Sequence, residues 1–417
     1  MPEFLRLTSP SEALSILMRA LPVEEPGREW VDTLYAVGRV TAEEVRAPHA
    51  LPAFPRSSMD GFAVRANDTF GASESMPGYL TLEGEVPMGA KPAFALQPGK
   101  AGLIHTGGML PENADAVVPM EQSETARPGE IEILRPVAKG ENVILVGEDV
   151  IKGQIIIPPG IQVRPVEVGG CMALGISVLR VTVRPKIGII SSGDEVVAPE
   201  HEPGPGQVRD VNSYTLAAMV SQAGGEAVMY GIVHDDLEDL RVSIARALSE
   251  CQAVVITAGS SASARDMTAE AIAEQGMPGV LVHGINVKPG KPTILAVCGN
   301  KAVIGLPGNP VSAMIIAGLF VVPVIKRLLG RKVERPSATC PARLTVNVAS
   351  QAGREDWIPV KLITGPDGSD GGKNWLAEPI FAKSNLIFSL AAADGLVCIP
   401  LEVTGYEAGE LVLVILF

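Results

Sequence analysis

The 417-residue chain carries a formal charge of −13, with 47% hydrophobic and only 4% aromatic residues, so any core rests on Val, Ile, Leu and Ala. An acidic surface of this kind repels nucleic acid and anionic membranes, both of which are bound chiefly through basic patches. A small anionic ligand is still allowed, because a local group of lysines and helix N-termini outweighs the global charge.

The length points to roughly two to four domains. The five cysteines, Cys171, Cys251, Cys298, Cys340 and Cys398, form no CxxC pair and most sit in apolar runs, the pattern of free thiols in a reducing compartment. The five histidines show no HxxxH or HxH pairing, so a histidine zinc site has no support. Glu3 and Glu12 argue against a signal peptide, and the longest apolar run, residues 311–325, contains Pro323 and falls short of the ~20 residues of a membrane span. The expectation is a soluble, cytoplasmic protein.

In chain order, Ser9 and Ser11 precede an apolar stripe (Ala13, Leu14, Leu17, Met18, Leu21) that predicts a capped helix. GREWVDTLYAVGRV reads as a second, shorter helix. Residues 51–139 are short strands broken by Pro and Gly, a β-rich region. Within it, PRSSMDGFAVRAND places Asp60-Gly61 as a DG turn, and IHTGGMLPENADAVV places Thr106 and two glycines at a strand end; each reads first as an ordinary loop. Residues 140–183 read as further strands, with Glu148 and Asp149 in a turn that also suits a hard cation.

Residues 183–311 repeat one grammar: a β-branched run, a glycine- or serine-rich corner, then a helical pattern. This predicts a mostly parallel α/β sheet, which binds ligands where loops leave the carboxyl ends of its strands. The corners are Ser191-Ser192-Gly193-Asp194-Glu195, the HDD of Asp235 and Asp236, the serine loop from Gly259 and Ser260 to Asp266, KPGK with Lys288 and Lys291, and PGNP from Pro307 to Pro310. Asn212 is the expected cap of the helix after the first corner, and Asp235 or Asp236 caps the next one or serves the site. The C-terminal region after residue 333 is strand-rich and predicts a small β-barrel or sandwich. No P-loop and no GxSxG elbow occurs. Acids at strand ends beside a lysine corner fit a phosphate group with a divalent cation, hence phosphate-ester or nucleotide chemistry.

SSMDGFAV, HTGGMLPENADAVV, GENVILVGEDV, IISSGDEV, VKPGKP and GLPGNPVSA, in this order, resemble the molybdenum insertase family that includes MoeA and the gephyrin E domain. The resemblance implies insertion of molybdate into adenylylated molybdopterin with release of AMP, Mg²⁺ as cofactor, and a homodimer whose cleft is shared between subunits. A molybdopterin adenylyltransferase is the class of delivery partner it implies. It also implies a multidomain fold, α/β plus β. Residues 27–48 and 140–183 form an elongated connecting domain, 49–139 a β-rich domain, 1–26 and 184–333 the α/β molybdopterin-binding domain, and 334–417 a C-terminal β-barrel. Carried across by motif, Asp60, Thr106, Glu195 and Asp266 are catalytic positions, with Glu195 and Asp266 on the metal. Asp149, Ser192, Gly193, Asp235, Gly259, Ser260, Lys288, Lys291, Pro307 and Pro310 contact the substrates. Two departures stand out: residues 259–264 replace a Gly-Gly-x-Ser-x-Gly loop with a shorter, serine-rich one, and Lys383-Ser384-Asn385 replaces a Gly-Ser-Gly stretch in what reads as a peripheral domain. The competing reading is a catalytically weak paralogue that carries molybdopterin or finished cofactor; a generic α/β phosphotransferase is weakened by the absent P-loop.

Overall fold

A computed structural model describes residues 7–22, 24–258, 262–365 and 374–417. Helix α1 (Pro10–Ala20) starts as expected, with the Ser9 hydroxyl accepting the Glu12 amide at 3.3 Å. The next segment departs from expectation. Arg28–Asp32 is a strand, not a helix, paired antiparallel with Val178–Thr182 over five residues, and Thr33–Tyr35 closes it as a 3₁₀ turn. The pairing partner lies about 150 residues away, so local periodicity carried no sign of it. The converse correction falls at Pro165–Ala173, read as strand but folded as helix α2, with Pro165 in the first turn and Glu167 accepting the Arg164 amide.

Residues 61–133 form a six-stranded mixed sheet in which two inner strands, Gly61–Val64 and Lys100–Ile104, are mostly buried. Phe62 and Val64 pack into one core and Ala63 and Ile104 into another, so this sheet is covered on both faces.

The α/β sheet runs Glu226–Val233, Lys186–Ser192, Ala253–Ala258, Lys301–Pro307, Ile294–Cys298, Pro278–His283. The first four strands are mutually parallel and the last two are antiparallel additions. Alternate residues serve opposite cores: Ile187 and Ile189 face one, Ile190 the other, which explains the continuous apolar runs. Helices α3 (Asn212–Ala223), α4 (Leu237–Glu250) and α5 (Ala262–Ala273) follow three of the strands. Helix α1, α3 and the long helix α6 (Pro310–Leu328) cover one face, α4 and α5 the other.

Helix α6 also corrects the apolar-run estimate. It spans 19 residues, long and apolar enough by composition to cross a membrane, yet Val311, Ile316, Phe320, Val324 and Ile325 are buried in the protein core, as in a core helix. Its middle widens into a π turn over Ala317–Val321. Pro323, lacking an amide hydrogen, removes one i→i−4 bond at that point.

The C-terminal strands Thr339–Leu344, Glu355–Thr364, Trp375–Pro379, Gly395–Ile399 and Leu411–Leu416 pair in a closed cycle, a small β-barrel. The α/β unit lends it one strand: Val287–Lys288 joins in parallel, with Val287 opposite Glu355 and Lys288 opposite Asp356. A single sheet therefore ties the KPGK corner to the barrel.

Candidate active site

The carboxyl ends of the parallel strands bring SSGDE, HDD and PGNP to one edge, with α5 and Asp266 following the strand Ala253–Ala258. Two cavities open there, on either side of the PGNP corner, and both are lined by Gly308 and Asn309.

The first cavity, about 400 Å³, is lined by Lys288, Lys291 and Arg354 with Ser312, Ser384 and Asn309. Its floor is held by backbone geometry. The Thr293 hydroxyl donates to the Gly290 carbonyl at 2.7 Å, and the Ile285 amide donates to the Lys291 carbonyl at 2.9 Å. Gly290 has φ +121°, and a Cβ there would lie 2.4 Å from Ile316 Cδ1, so only glycine fits. Three cations and two hydroxyls around a small concave space suit an oxyanion.

The second cavity, about 510 Å³, is lined by Ser191, Ser192, Glu195, Asp210, Asn212, Thr257 and Asn385, among others. Gly193 (φ +147°) turns the chain so that Glu195 reaches its rim; a Cβ there would meet Glu195 Oε2 at 2.8 Å. The Ser192 hydroxyl donates to Asp235 Oδ1, and the Asp235 amide donates to Asp194 Oδ1 at 3.3 Å. His234 Nδ1 lies 3.1 Å from the same Asp194 oxygen, and its hydrogen bond holds the Asp194 carboxyl below the usual aspartate range. The two Asp candidates thus separate: Asp236 caps α4, accepting the Glu238 and Asp239 amides, while Asp235 turns toward Ser192.

Asn212 is not the cap of α3. Its side-chain amide donates to the Gly308 carbonyl at 2.8 Å, bracing the PGNP corner, and buried Asp210 accepts the Ser213 amide in its place. Pro310 sits in the first turn of α6 and Pro307 ends the preceding strand, so both frame the wall between the cavities.

The second departure noted in the sequence does not belong to a peripheral region. Asn309 Nδ2 donates to Ser384 Oγ at 3.0 Å, the Val311 amide donates to the Ser384 carbonyl at 3.1 Å, and Asn385 lines the second cavity. Arg354, Ser384 and Asn385, all from the C-terminal region, were absent from the expected set. The signal for Arg354 was GREDW: Arg and Asp two residues apart at a strand start share one face.

On the mixed sheet, Asp60 and Thr106 meet. Asp60 Oδ1 accepts the Thr106 amide at 2.7 Å and its hydroxyl at 3.0 Å, with His105 Nδ1 at 3.9 Å. The Thr106 amide, then its hydroxyl, hold the Asp60 carboxyl below the ordinary aspartate pKa. Asp60 is therefore an ionised acceptor at neutral pH; this interaction favours the fold above the ordinary pKa and is lost as pH falls through the depressed one. Asp149 is exposed in its turn, its amide bonded to the Leu51 carbonyl at 3.0 Å. Among the described residues no hydrogen bond or ion pair links Asp60, Thr106 or Asp149 to the two cavities.

Asp266 is exposed on α5, while Gly259 and Ser260 lie outside the described residues. Among the described residues no group of three His, Cys, Asp or Glu side chains is placed to hold a metal ion. Glu195 and Asp266 supply hard carboxylate oxygens, Glu195 at the second cavity and Asp266 exposed on α5.

The chain thus sets a small cationic cavity beside a larger one, divided by the PGNP corner at one edge of an α/β sheet. Three family models match it: "MoeA N-terminal region (domain I and II)" over residues 8–175, "Probable molybdopterin binding domain" over 188–327, and "MoeA C-terminal region (domain IV)" over 341–417. A crystal structure of a molybdopterin biosynthesis MoeA protein from Pyrococcus horikosii is 38% identical, covers 99% of both chains, and superposes with a TM-score of 0.77. A second structure, from Pyrococcus horikoshii OT3, is 32% identical with a TM-score of 0.84, covering 99% of this chain and 100% of its own. A molybdopterin molybdenumtransferase from Nostoc is 31% identical over 394 residues, 93% of this chain and 88% of its own. The chain belongs to the MoeA family.

Proposed function

We propose that this protein is a molybdopterin molybdenumtransferase, which inserts molybdate into adenylylated molybdopterin and releases AMP. The observation that carries the reading is the pair of cavities divided by Gly308 and Asn309, one cationic and one rimmed by Glu195, Asp210 and Asn212. The relatives' names, molybdopterin biosynthesis and molybdenumtransferase, supply the chemical identity of the two ligands.

In this reading Lys288, Lys291 and Arg354 neutralise the molybdate dianion, and Ser312 and Ser384 offer hydroxyl contacts that fix its orientation. The adenylylated pterin lies in the second cavity, with Ser192 and Gly193 beside its phosphates. Glu195 and Asp266 would hold Mg²⁺, which when bound offsets the charge of the diphosphate. Asp235, fixed by Ser192, keeps the rim acidic and so favours that cation. In this reading residues 27–48 and 140–183 are the connecting region, 49–139 the β-rich region, 1–26 and 184–333 the α/β region and 334–417 the barrel.

The reading includes a homodimer in which Asp60, Thr106 and Asp149 of one copy complete the cleft of the other. Two features support it. Asp60 and Thr106 form a prepared pair with no hydrogen-bonded link to the cavities among the described residues of their own chain. Trp30, Tyr35 and Val166 of the connecting region are 63%, 73% and 66% exposed, apolar surface of the kind a second copy covers.

Asp266→Ala tests the assignment. With adenylylated molybdopterin, Mg²⁺ and molybdate, the variant is expected to lose AMP release while keeping the wild-type circular dichroism spectrum. Unaltered turnover would show that the corner after the serine loop is not catalytic. Tight binding of the substrate by the wild type without AMP release would favour the carrier reading instead.

A further inference from the structure

We infer that Asp356, a barrel residue, is a positioning residue for the oxyanion cavity, holding Arg354 so that its guanidinium faces Lys288 and Lys291. The inference rests on the reading that this cavity takes molybdate.

Asp356 is 1% exposed. Arg354 donates to it twice, from Nε to Oδ1 at 2.7 Å and from Nη2 to Oδ2 at 3.0 Å. Among the described residues neither oxygen accepts any other hydrogen bond, so the carboxylate is committed to this one guanidinium. A buried ion pair is a poor way to stabilise a barrel, because desolvation cancels much of its attraction and apolar residues of similar size serve as well. It is a good way to aim a side chain. With Nε and Nη2 engaged, the fork is fixed in a plane, Nη1 is left outside the pair, and Arg354 lines the cavity.

The backbone extends the same logic. Asp356 stands directly opposite Lys288 in the parallel pairing of Val287–Lys288 with the barrel strand, and the Glu355 amide donates to the Asn286 carbonyl at 3.0 Å. The acid that aims Arg354 is therefore in register with one of the lysines it must meet. Two units separated in sequence share one rigid frame around the ligand.

Two effects of Asp356 oppose each other. Its charge weakens the attraction of Arg354 for an anion, while its geometry removes the disorder of a long side chain. Positioning requires the second to dominate, which gives the test a sign. Molybdate binding to the full-length chain is measured by titration calorimetry for wild type, Asp356→Asn, Arg354→Lys and the double variant. The amide retains one acceptor but turns a donor toward Nη2, so Asp356→Asn should bind molybdate about tenfold more weakly, with the larger part of the kinetic effect in KM for molybdate rather than kcat. Arg354→Lys keeps the charge and loses the fork; it should weaken binding about as much, and adding Asp356→Asn to it should change little. Unchanged or tighter binding in Asp356→Asn overturns the inference, since charge relief would then outweigh aim. If Asp356→Asn does not fold, Arg354→Lys decides: wild-type affinity with lysine at 354 contradicts the need for an aimed fork. Absence of molybdate binding to the wild type would overturn the functional reading along with the inference, whereas normal wild-type binding with an unaffected Asp356→Asn sinks the inference alone.

Discussion

Lys291→Ala is expected to raise the molybdate concentration needed for half-maximal AMP release by roughly a hundredfold, the loss of one well-placed charged contact in a concave site. The protein carries a net charge of −13, so a dianion is repelled everywhere except where cations are gathered. Lys288, Lys291 and Arg354 are that gathering, and two of the three come from a corner of four residues. The loop does not depend on the lysine side chain for its shape. The Lys291 carbonyl, the Gly290 carbonyl and the Gly290–Ile316 contact fix it, and none of these is touched by truncation at Cβ. The variant should therefore fold normally and recover part of its activity at high molybdate. Lys291→Arg should lose far less, and raising the ionic strength should narrow the gap between wild type and alanine variant. A half-saturation concentration within twofold of wild type would remove the oxyanion from this cavity.

The second large effect is a recovery. Asp60→Ala and Lys291→Ala should each be nearly inactive at limiting molybdate, because each removes one side of the cleft. If the cleft is assembled from two copies, mixing them under subunit exchange makes heterodimers with one doubly damaged site and one intact site. Random exchange in an equimolar mixture then restores about a quarter of wild-type activity, since half the dimers are mixed and each has one good site. A cleft built within one chain gives no recovery at any ratio. Asp60 suits this role chemically: it is exposed, and its ionised form is favoured by the Thr106 amide and hydroxyl. It can meet a partner's ligand without first shedding a proton at neutral pH.

Much of this was legible in the chain. The strands Lys186–Ser192, Ala253–Ala258 and Lys301–Pro307 are buried on both faces, so their sequences are unbroken β-branched runs that end where the ligand corners begin. Lysines and a glycine at KPGK and prolines at PGNP are local signals, and they marked both sides of one cavity. What stayed hidden was tertiary. Arg28–Asp32 has helical spacing and becomes a strand only because Val178–Thr182 is there to receive it. Helix α2 contains Val166, Val168, Gly169 and Gly170, poor helix formers, and stands because Cys171 and its neighbours pack against Ile157 and Leu179. Ser384 and Arg354 reach the site because the barrel borrows a strand from the α/β unit, a pairing no local pattern announces. Asn212 stands where a helix cap is expected, but its side chain donates to the Gly308 carbonyl instead. The same joint explains why a Gly-Ser-Gly replacement far along the chain bears on chemistry: Asn385 narrows the larger cavity directly.

The most direct test of the account is the stoichiometry of AMP released to molybdenum retained on the pterin, measured with purified protein, adenylylated molybdopterin, Mg²⁺ and molybdate. The account predicts one AMP per molybdenum inserted and no AMP above background when the oxyanion is omitted. Tight retention of the adenylylated substrate with no molybdate-dependent AMP release would contradict it.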